Sequence, residues 1–291
     1  MIGDNHDLKL NWKKMKNGDI PAVEKILRNA EKDYVSACGK YLMRNVSNDP
    51  VWLLCDKKEN IYALIINSRS TLIPVLKGIN ELASLKFLKG FLRIKKIHSV
   101  QGLKEEVIVL ENTLKQIGWK TSETIDYDLM SLDKKPDNKI KISNANPLNL
   151  ILRVPKMTDL DALSPLQAAY EKEEVLPKGS VFSPAASRVN IANIVAGGKI
   201  LAALYNGKLV GKINVSAVSF TRYLVGGVYV HPDFRGMGIA RKMAYEFINE
   251  LINEREGRGV TLFVKKNNIA AKKLYTGLGF ITHGDYRIAY Y

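Results

Sequence analysis

Gly227-Val228-Tyr229-Val230-His231-Pro232-Asp233-Phe234-Arg235-Gly236-Met237-Gly238-Ile239-Ala240 decides the fold of this 291-residue chain. Its first residues are apolar and read as a strand, which ends at His231-Pro232 because proline cannot donate to a sheet ladder. A turn containing Gly236 and Gly238 follows, and residues without a Cβ let backbone amides come close to a ligand. An amphipathic helix then starts at once, with Ala240, Met243, Ala244, Phe247, Ile248 and Leu251 on one face. The unpaired N–H groups and positive dipole end of that helix point into the turn, an arrangement suited to phosphate. Neither common phosphate loop fits. The GxGxxG spacing of a dinucleotide-binding unit is missing, and no GKS or GKT follows as in a P-loop.

Outward from this stretch, strands are expected at 150–154, 200–205, 209–217, 223–230 and 260–264. Asn206-Gly207-Lys208 marks a hairpin between the second and third of these. Helices are expected at 160–173, 184–195, 239–253 and 268–276, and a closing hairpin at 280–290. Antiparallel hairpins with one strand–helix–strand crossover imply a mixed-sheet α/β domain over 149–291.

The polar, turn-rich residues 133–148 read as a linker, which leaves a first domain over 1–132. There one helix is expected over 19–44, then strands at 51–55 and 61–66 and an apolar run at 71–76. Helices at 81–92 and 103–117 flank a short strand at 96–100, and a last strand covers 124–132.

Composition narrows the class. No apolar run approaches the roughly 20 residues of a membrane span, and the polar start Met1-Ile2-Gly3-Asp4-Asn5-His6-Asp7 lacks the core of a secretory signal, so a cytoplasmic protein is expected. Cys38 and Cys55 form no CxxC pair, and the four histidines are scattered, so no metal is expected. The net charge of +15 is spread evenly, with 25 Lys and Arg against 18 Asp and Glu in residues 1–150 and 19 against 11 thereafter. Such a surface suits a polyanion or the three phosphates of coenzyme A, and charge alone does not choose between them. The absence of a recognition motif disfavours nucleic acid.

Arg235-x-x-Gly238-x-Ala240 resembles the [Q/R]xxGx[G/A] signature of the GCN5-related N-acetyltransferase (GNAT) superfamily. Asn268-x-x-Ala271-x-x-Leu274-Tyr275-x-x-x-Gly279-Phe280 resembles its second signature. The order of the whole chain resembles a two-domain bacterial arrangement in which a degenerate GNAT-like half, here with Gln101-Gly102 as a worn phosphate loop, precedes the signature-bearing one.

The resemblance implies a GNAT fold for the second half, acetyl-CoA as co-substrate and an amine acceptor, a small molecule or peptide. It implies that Val228, Tyr229 and Val230 bind the pantetheine arm through the strand backbone. The amides of Arg235, Gly236, Met237, Gly238, Ile239, Ala240 and Arg241 would hold the pyrophosphate, and Asn268 would touch the pantetheine. Tyr275 would protonate the departing thiolate, and Lys265, Lys266, Lys272 and Lys273 could meet the ribose 3′-phosphate. One departure matters: the fourth strand, from Tyr223 to Tyr229, lacks the glutamate that often serves as base in this family. A base must then come from elsewhere, or the amine arrives deprotonated; Glu173 and Glu174, at the end of the domain's first helix, are the candidate catalytic contacts on the acceptor side. The alternative to an N-acetyltransferase is an acyl-CoA-binding sensor without catalysis. Oligomeric state is not legible.

Overall fold

The structure, a computed structural model, describes residues 10–45, 48–79, 96–136, 149–254 and 259–291. By its contacts the chain forms two units, Met1–Leu129 with His283–Tyr291, and Met130–Thr282. The expected helix at 81–92 and most of the expected linker, residues 137–148, lie outside the described residues.

In the first unit β1 (Asn11–Lys14), β2 (Val51–Cys55), β3 (Ile61–Ser68) and β4 (Thr71–Val75) form an antiparallel meander. β5 (Ser99–Leu103) then joins β4 in parallel. α1 (Ile20–Asn29) and α2 (Val35–Leu42) replace the single helix expected over 19–44. The stripe of apolar residues runs through both, but Ala30 leaves helical geometry at φ −122, and the polar Glu31-Lys32-Asp33 makes a turn. α3 (Lys104–Gln116) follows β5 directly and packs Val107, Leu110 and Leu114 onto Ile65, Leu72 and Val100. β6 (Glu123–Leu132) begins in this unit. Cys38 and Cys55 are both buried thiols, as their apolar neighbours imply.

β12 (Ile281–Tyr290) brings the end of the chain into this same unit, pairing Tyr286–Tyr290 antiparallel with β5. It is one strand, and the expected hairpin at 280–290 does not form. Gly284 lies within this strand beside Leu129 and Leu103, so the chain runs on where the hairpin turn was expected. Arg287 on this strand donates to Asp126 at 2.7 Å and Glu111 at 3.1 Å, with Lys104 also 2.7 Å from Asp126.

The second unit repeats the topology. β7 (Leu150–Arg153), β8 (Ile200–Tyr205), β9 (Lys208–Val218) and β10 (Arg222–Val230) form an antiparallel meander, and β11 (Gly259–Lys265) joins β10 in parallel. α4 (Leu160–Tyr170) runs into a π-helical turn at Glu171–Val175, and α5 (Pro184–Ala196) follows, capped by Ser183. α6 (Ile239–Glu254) buries Ile239, Met243, Ala244, Phe247, Ile248, Leu251 and Ile252; of the face read from the sequence only Ala240 is half-buried, and Ile239 and Ile252 are added. α7 (Ile269–Thr276) precedes Phe280 in the same core. Gln101-Gly102 lies inside the fifth strand of the first unit. The position matching the Arg235 loop is instead the end of the fourth strand, at Leu76-Lys77-Gly78-Ile79.

Candidate active site

β10 pairs with β11 only at Arg222, Tyr223 and Leu224. Beyond Leu224 the two parallel strands part, and the β11-facing edge of β10 from Val225 to Val230 has no register partner on β11. A strand edge with unsatisfied amides and carbonyls takes an extended ligand as it would take another strand. Val228 and Tyr229 lie within that stretch of β10. The carbonyl of Val230 is already used, accepting from Arg235 Nε at 3.0 Å.

The chain then makes a short 3-10 turn, Pro232–Phe234, seated by the Phe234 ring against Tyr205 at 5.8 Å. Gly236 and Gly238 follow at φ +81 and +78, where a side chain is disfavoured. Nothing lies within 4 Å of the space a Cβ would occupy on Gly236, so the turn is open. The Gly238 carbonyl accepts the first bond of α6, from Lys242 N at 3.0 Å. The amides of Met237, Ile239, Ala240 and Arg241 therefore belong to a helix start, where intrahelical acceptors are lacking. Arg241, in the first turn of α6, has a buried Nε without a hydrogen-bond partner.

Asn268 caps α7, its Oδ1 accepting from Ala271 N at 3.0 Å, which leaves the amide NH2 to reach a ligand. Tyr275 is buried, with its ring edge-on to Phe280 at 5.6 Å. Burial raises its hydroxyl strongly, and Tyr170 and Glu174 add to the effect, so it stays protonated at neutral pH. The same burial makes the phenol a weaker proton donor than an exposed tyrosine.

Glu173 and Glu174 are carried by the π-helical turn, a feature often found at functional positions. Glu173 accepts from Tyr229 Oη at 2.7 Å and from Arg235 at 2.8 Å. Burial alone would raise its carboxyl, but the Arg235 and Tyr229 hydrogen bonds outweigh it and hold it below its ordinary value. Glu174 pairs with Lys265 at 3.1 Å, and Lys265 also donates to the Glu173 carbonyl. Both carboxylates thus meet cations here, and Glu173 sits on the arginine that opens the loop. Of the remaining lysines, Lys272 donates to the Lys266 carbonyl at 3.4 Å.

The sequence reading passed over Tyr170, Lys212 and Asn214, which the fold brings to β10. Lys212 Nζ donates to the Gly227 carbonyl at 2.8 Å and to Asn214 Oδ1 at 3.2 Å. Gly227 N donates to Tyr170 Oη at 3.3 Å. The signal was present: Lys212 and Asn214 share one face of the strand, two residues apart, within the apolar run at 209–215. A separate groove of about 660 Å3 lies along Leu150, Leu152, Leu201, Lys242 and Glu246, and it shares no residue with the site.

Among the described residues, no His, Cys, Asp and Glu group of three or more could hold a metal ion. No described helix is long and apolar enough to cross a membrane.

Comparison with known proteins agrees with this geometry. The sequence pattern of the Acetyltransferase (GNAT) family matches residues 167–280. No curated protein matches the sequence. A GCN5-related N-acetyltransferase from Sphaerobacter thermophilus shares the fold at a TM-score of 0.65 and 17% identity, over 96% of this chain and 94% of its own. A tandem GNAT protein from the clavulanic acid biosynthesis pathway does so at 0.59 and 13%, over 97% and 98%. A GNAT-family acetyltransferase from Colwellia psychrerythraea does so at 0.54 and 14%, over 97% and 100%. Through residues 167–280 this chain carries a domain of the GNAT acetyltransferase family, within a fold that it shares over nearly its whole length with GCN5-related N-acetyltransferases.

Proposed function

We propose that the chain transfers an acetyl group from acetyl-CoA to the nitrogen of an amine, small molecule or peptide, by direct attack. The observation that carries this reading is the parting of β10 and β11 beyond Leu224, beside a glycine turn at the start of α6. The pantetheine would lie along Val228, Tyr229 and Val230 as an added strand, and the pyrophosphate would meet the amides from Gly236 to Arg241. The amine lone pair attacks the thioester carbon, a C–N bond forms and the C–S bond breaks. Tyr275 gives its proton to the departing sulfur, and the nitrogen loses one to solvent. The site's contributions are orientation of the two reactants and amide donors for the carbonyl oxygen.

Glu173 would act through Arg235 and Tyr229, on the side from which an acceptor approaches. Held ionised by those two partners, it is a weak base, and an acceptor amine would arrive already deprotonated.

Release of free thiol from acetyl-CoA, measured over a panel of amines with Tyr275→Phe alongside, tests the reading. Turnover that depends on one amine class and collapses in the variant supports it. Tight coenzyme A binding with no turnover on any amine would mark an acyl-CoA-binding sensor instead.

A further inference from the structure

Lys212 is the one buried lysine among the described residues, with no exposed surface at all. A cation in such a place has to be paired or lose its proton. Its Nζ reaches the Gly227 carbonyl at 2.8 Å, Asn214 Oδ1 at 3.2 Å and the face of the Tyr170 ring at 4.6 Å. These partners match the three N–H bonds of an ammonium, two to oxygen and one to the π face.

The oxygen that it grips belongs to an unusual peptide. β10 slips register against β9 between Gly226 and Tyr229, and Gly227 stands there at φ +60. A Cβ on Gly227 would run into Asn214 and Lys212, so only glycine fits. The same residue's N–H is taken by the Tyr170 hydroxyl. Gly227 is therefore clamped at both ends, at the strand level where the sequence offers no glutamate.

The charges around the amine are few. Glu171, from the π-helical turn, acts to keep it protonated, and is itself bonded to Gln167 and Asn190. The phenols of Tyr170 and of Tyr229, its register partner on β10, are the other titratable neighbours, and β8 presents only Ala202. Burial outweighs Glu171 and lowers the amine to about 7.

We propose that Lys212, with Asn214 and Tyr170, is a positioning residue for acyl transfer, setting the Gly227 peptide against which the acyl carbonyl is held. The inference rests on the acetyl-transfer reading given above. The Tyr170 hydroxyl is the acceptor that the acyl oxygen replaces at the Gly227 amide. The grip on the carbonyl is charge-assisted when Lys212 is an ammonium and about half as strong when it is neutral.

The test compares wild type with Lys212→Met in the full chain, using acetyl-CoA and the best amine of the panel. The expected result is a kcat lower by about 10–100-fold with coenzyme A affinity unchanged. The ratio of wild-type to variant kcat should also fall as pH rises through about 7, where Lys212 loses its charge. Taking the ratio removes the titration of the acceptor. Asn214→Asp, which sets a carboxylate beside the ammonium, should move that fall to higher pH.

A second readout needs no turnover: the Lys212 side-chain resonance, followed by NMR against pH, should change its midpoint when acetyl-CoA binds. An unchanged kcat and a flat ratio in a folded Lys212→Met overturn the proposal while wild-type turnover leaves acetyl transfer intact. Binding of acetyl-CoA that leaves the Lys212 titration unmoved overturns it as well. If acetyl-CoA neither binds nor reacts, both readings fall together.

Discussion

At the end of β4 the amides of Leu76 and Lys77 both donate to Glu106 Oε1, at 2.8 and 2.9 Å, and Tyr34 Oη donates to the same oxygen at 2.6 Å. At the end of β10, the matching place in the second unit, a 3-10 turn and two positive-φ glycines lead to the start of α6. In one unit a carboxylate from the first turn of α3 fills the position where backbone amides converge. In the other, the amides of a helix start stand at the matching place, an arrangement that suits an anion. Burial raises the Glu106 carboxyl, against the pull of Tyr34 and the two amides, which is the cost of bringing an internal anion to that place. Two copies of one topology can thus differ in ligand binding according to whether the chain supplies its own anion.

Removing function from one unit alone separates the two most sharply. Tyr275→Phe should lower kcat by about 100-fold or more while leaving coenzyme A affinity unchanged, since general acids contribute on that scale. Steady-state kinetics beside calorimetric binding checks both halves of the statement. Gly238→Val forces a β-branched residue to φ +78 and should weaken coenzyme A binding about 10–100-fold. The matched change Gly78→Val, at φ +85, should leave that affinity alone. Equal losses from both would break the comparison.

Glu106→Ala strips a buried acceptor from two amides and a phenol, and should cost about 2–4 kcal/mol in chemical denaturation. Coenzyme A should still bind at one equivalent per chain. Two equivalents would mean that the carboxylate alone closes the first unit.

The C-terminal strand gives a pH test of the same unit. The hydrogen bond from Arg287, helped by Lys104, lowers the Asp126 carboxyl to about 2 from 3.8. A depressed carboxylate stabilises the fold above its ordinary value and loses that stabilisation as pH falls toward 2. Arg287→Met should therefore cost about 2 kcal/mol at neutral pH. Thermal melts of the variant should also show a flatter loss between pH 4 and 2 than wild type. The smallest effect belongs to Glu173→Gln. The Arg235 and Glu173 side chains are 48% and 42% exposed, so their pair is screened by water and salt. Stability should move by no more than about 0.5 kcal/mol. Coenzyme A affinity should rise at most about twofold, at low salt only.

Much of the second unit was legible because its signals are local. Proline at 232, glycines at 236 and 238, and the apolar face of α6 act within a few residues of one another, and each falls where expected. The break at Ala30 has a local mark in the polar Glu31-Lys32-Asp33 that the apolar stripe masked. The single strand at 281–290 was not legible, because Gly284 packs beside the distant Leu129 and Leu103. For the candidate site, Arg235 and Tyr275 were proposed from motifs, whereas Lys212 was passed over because its contact with Gly227 depends on a bulge in the neighbouring strand.

The sequence by itself determined three consecutive features of the second unit, a strand end, a glycine turn and a helix start, which together suit an anion. These are properties of consecutive residues, so spacing alone carries them. Only the tertiary structure decided that the last strand belongs to the first unit. It also decided that Glu106 fills the first unit's anion position and that Lys212 lies against Gly227. Those contacts join residues many positions apart or on different strands. Their strength comes from burial, which no local pattern encodes.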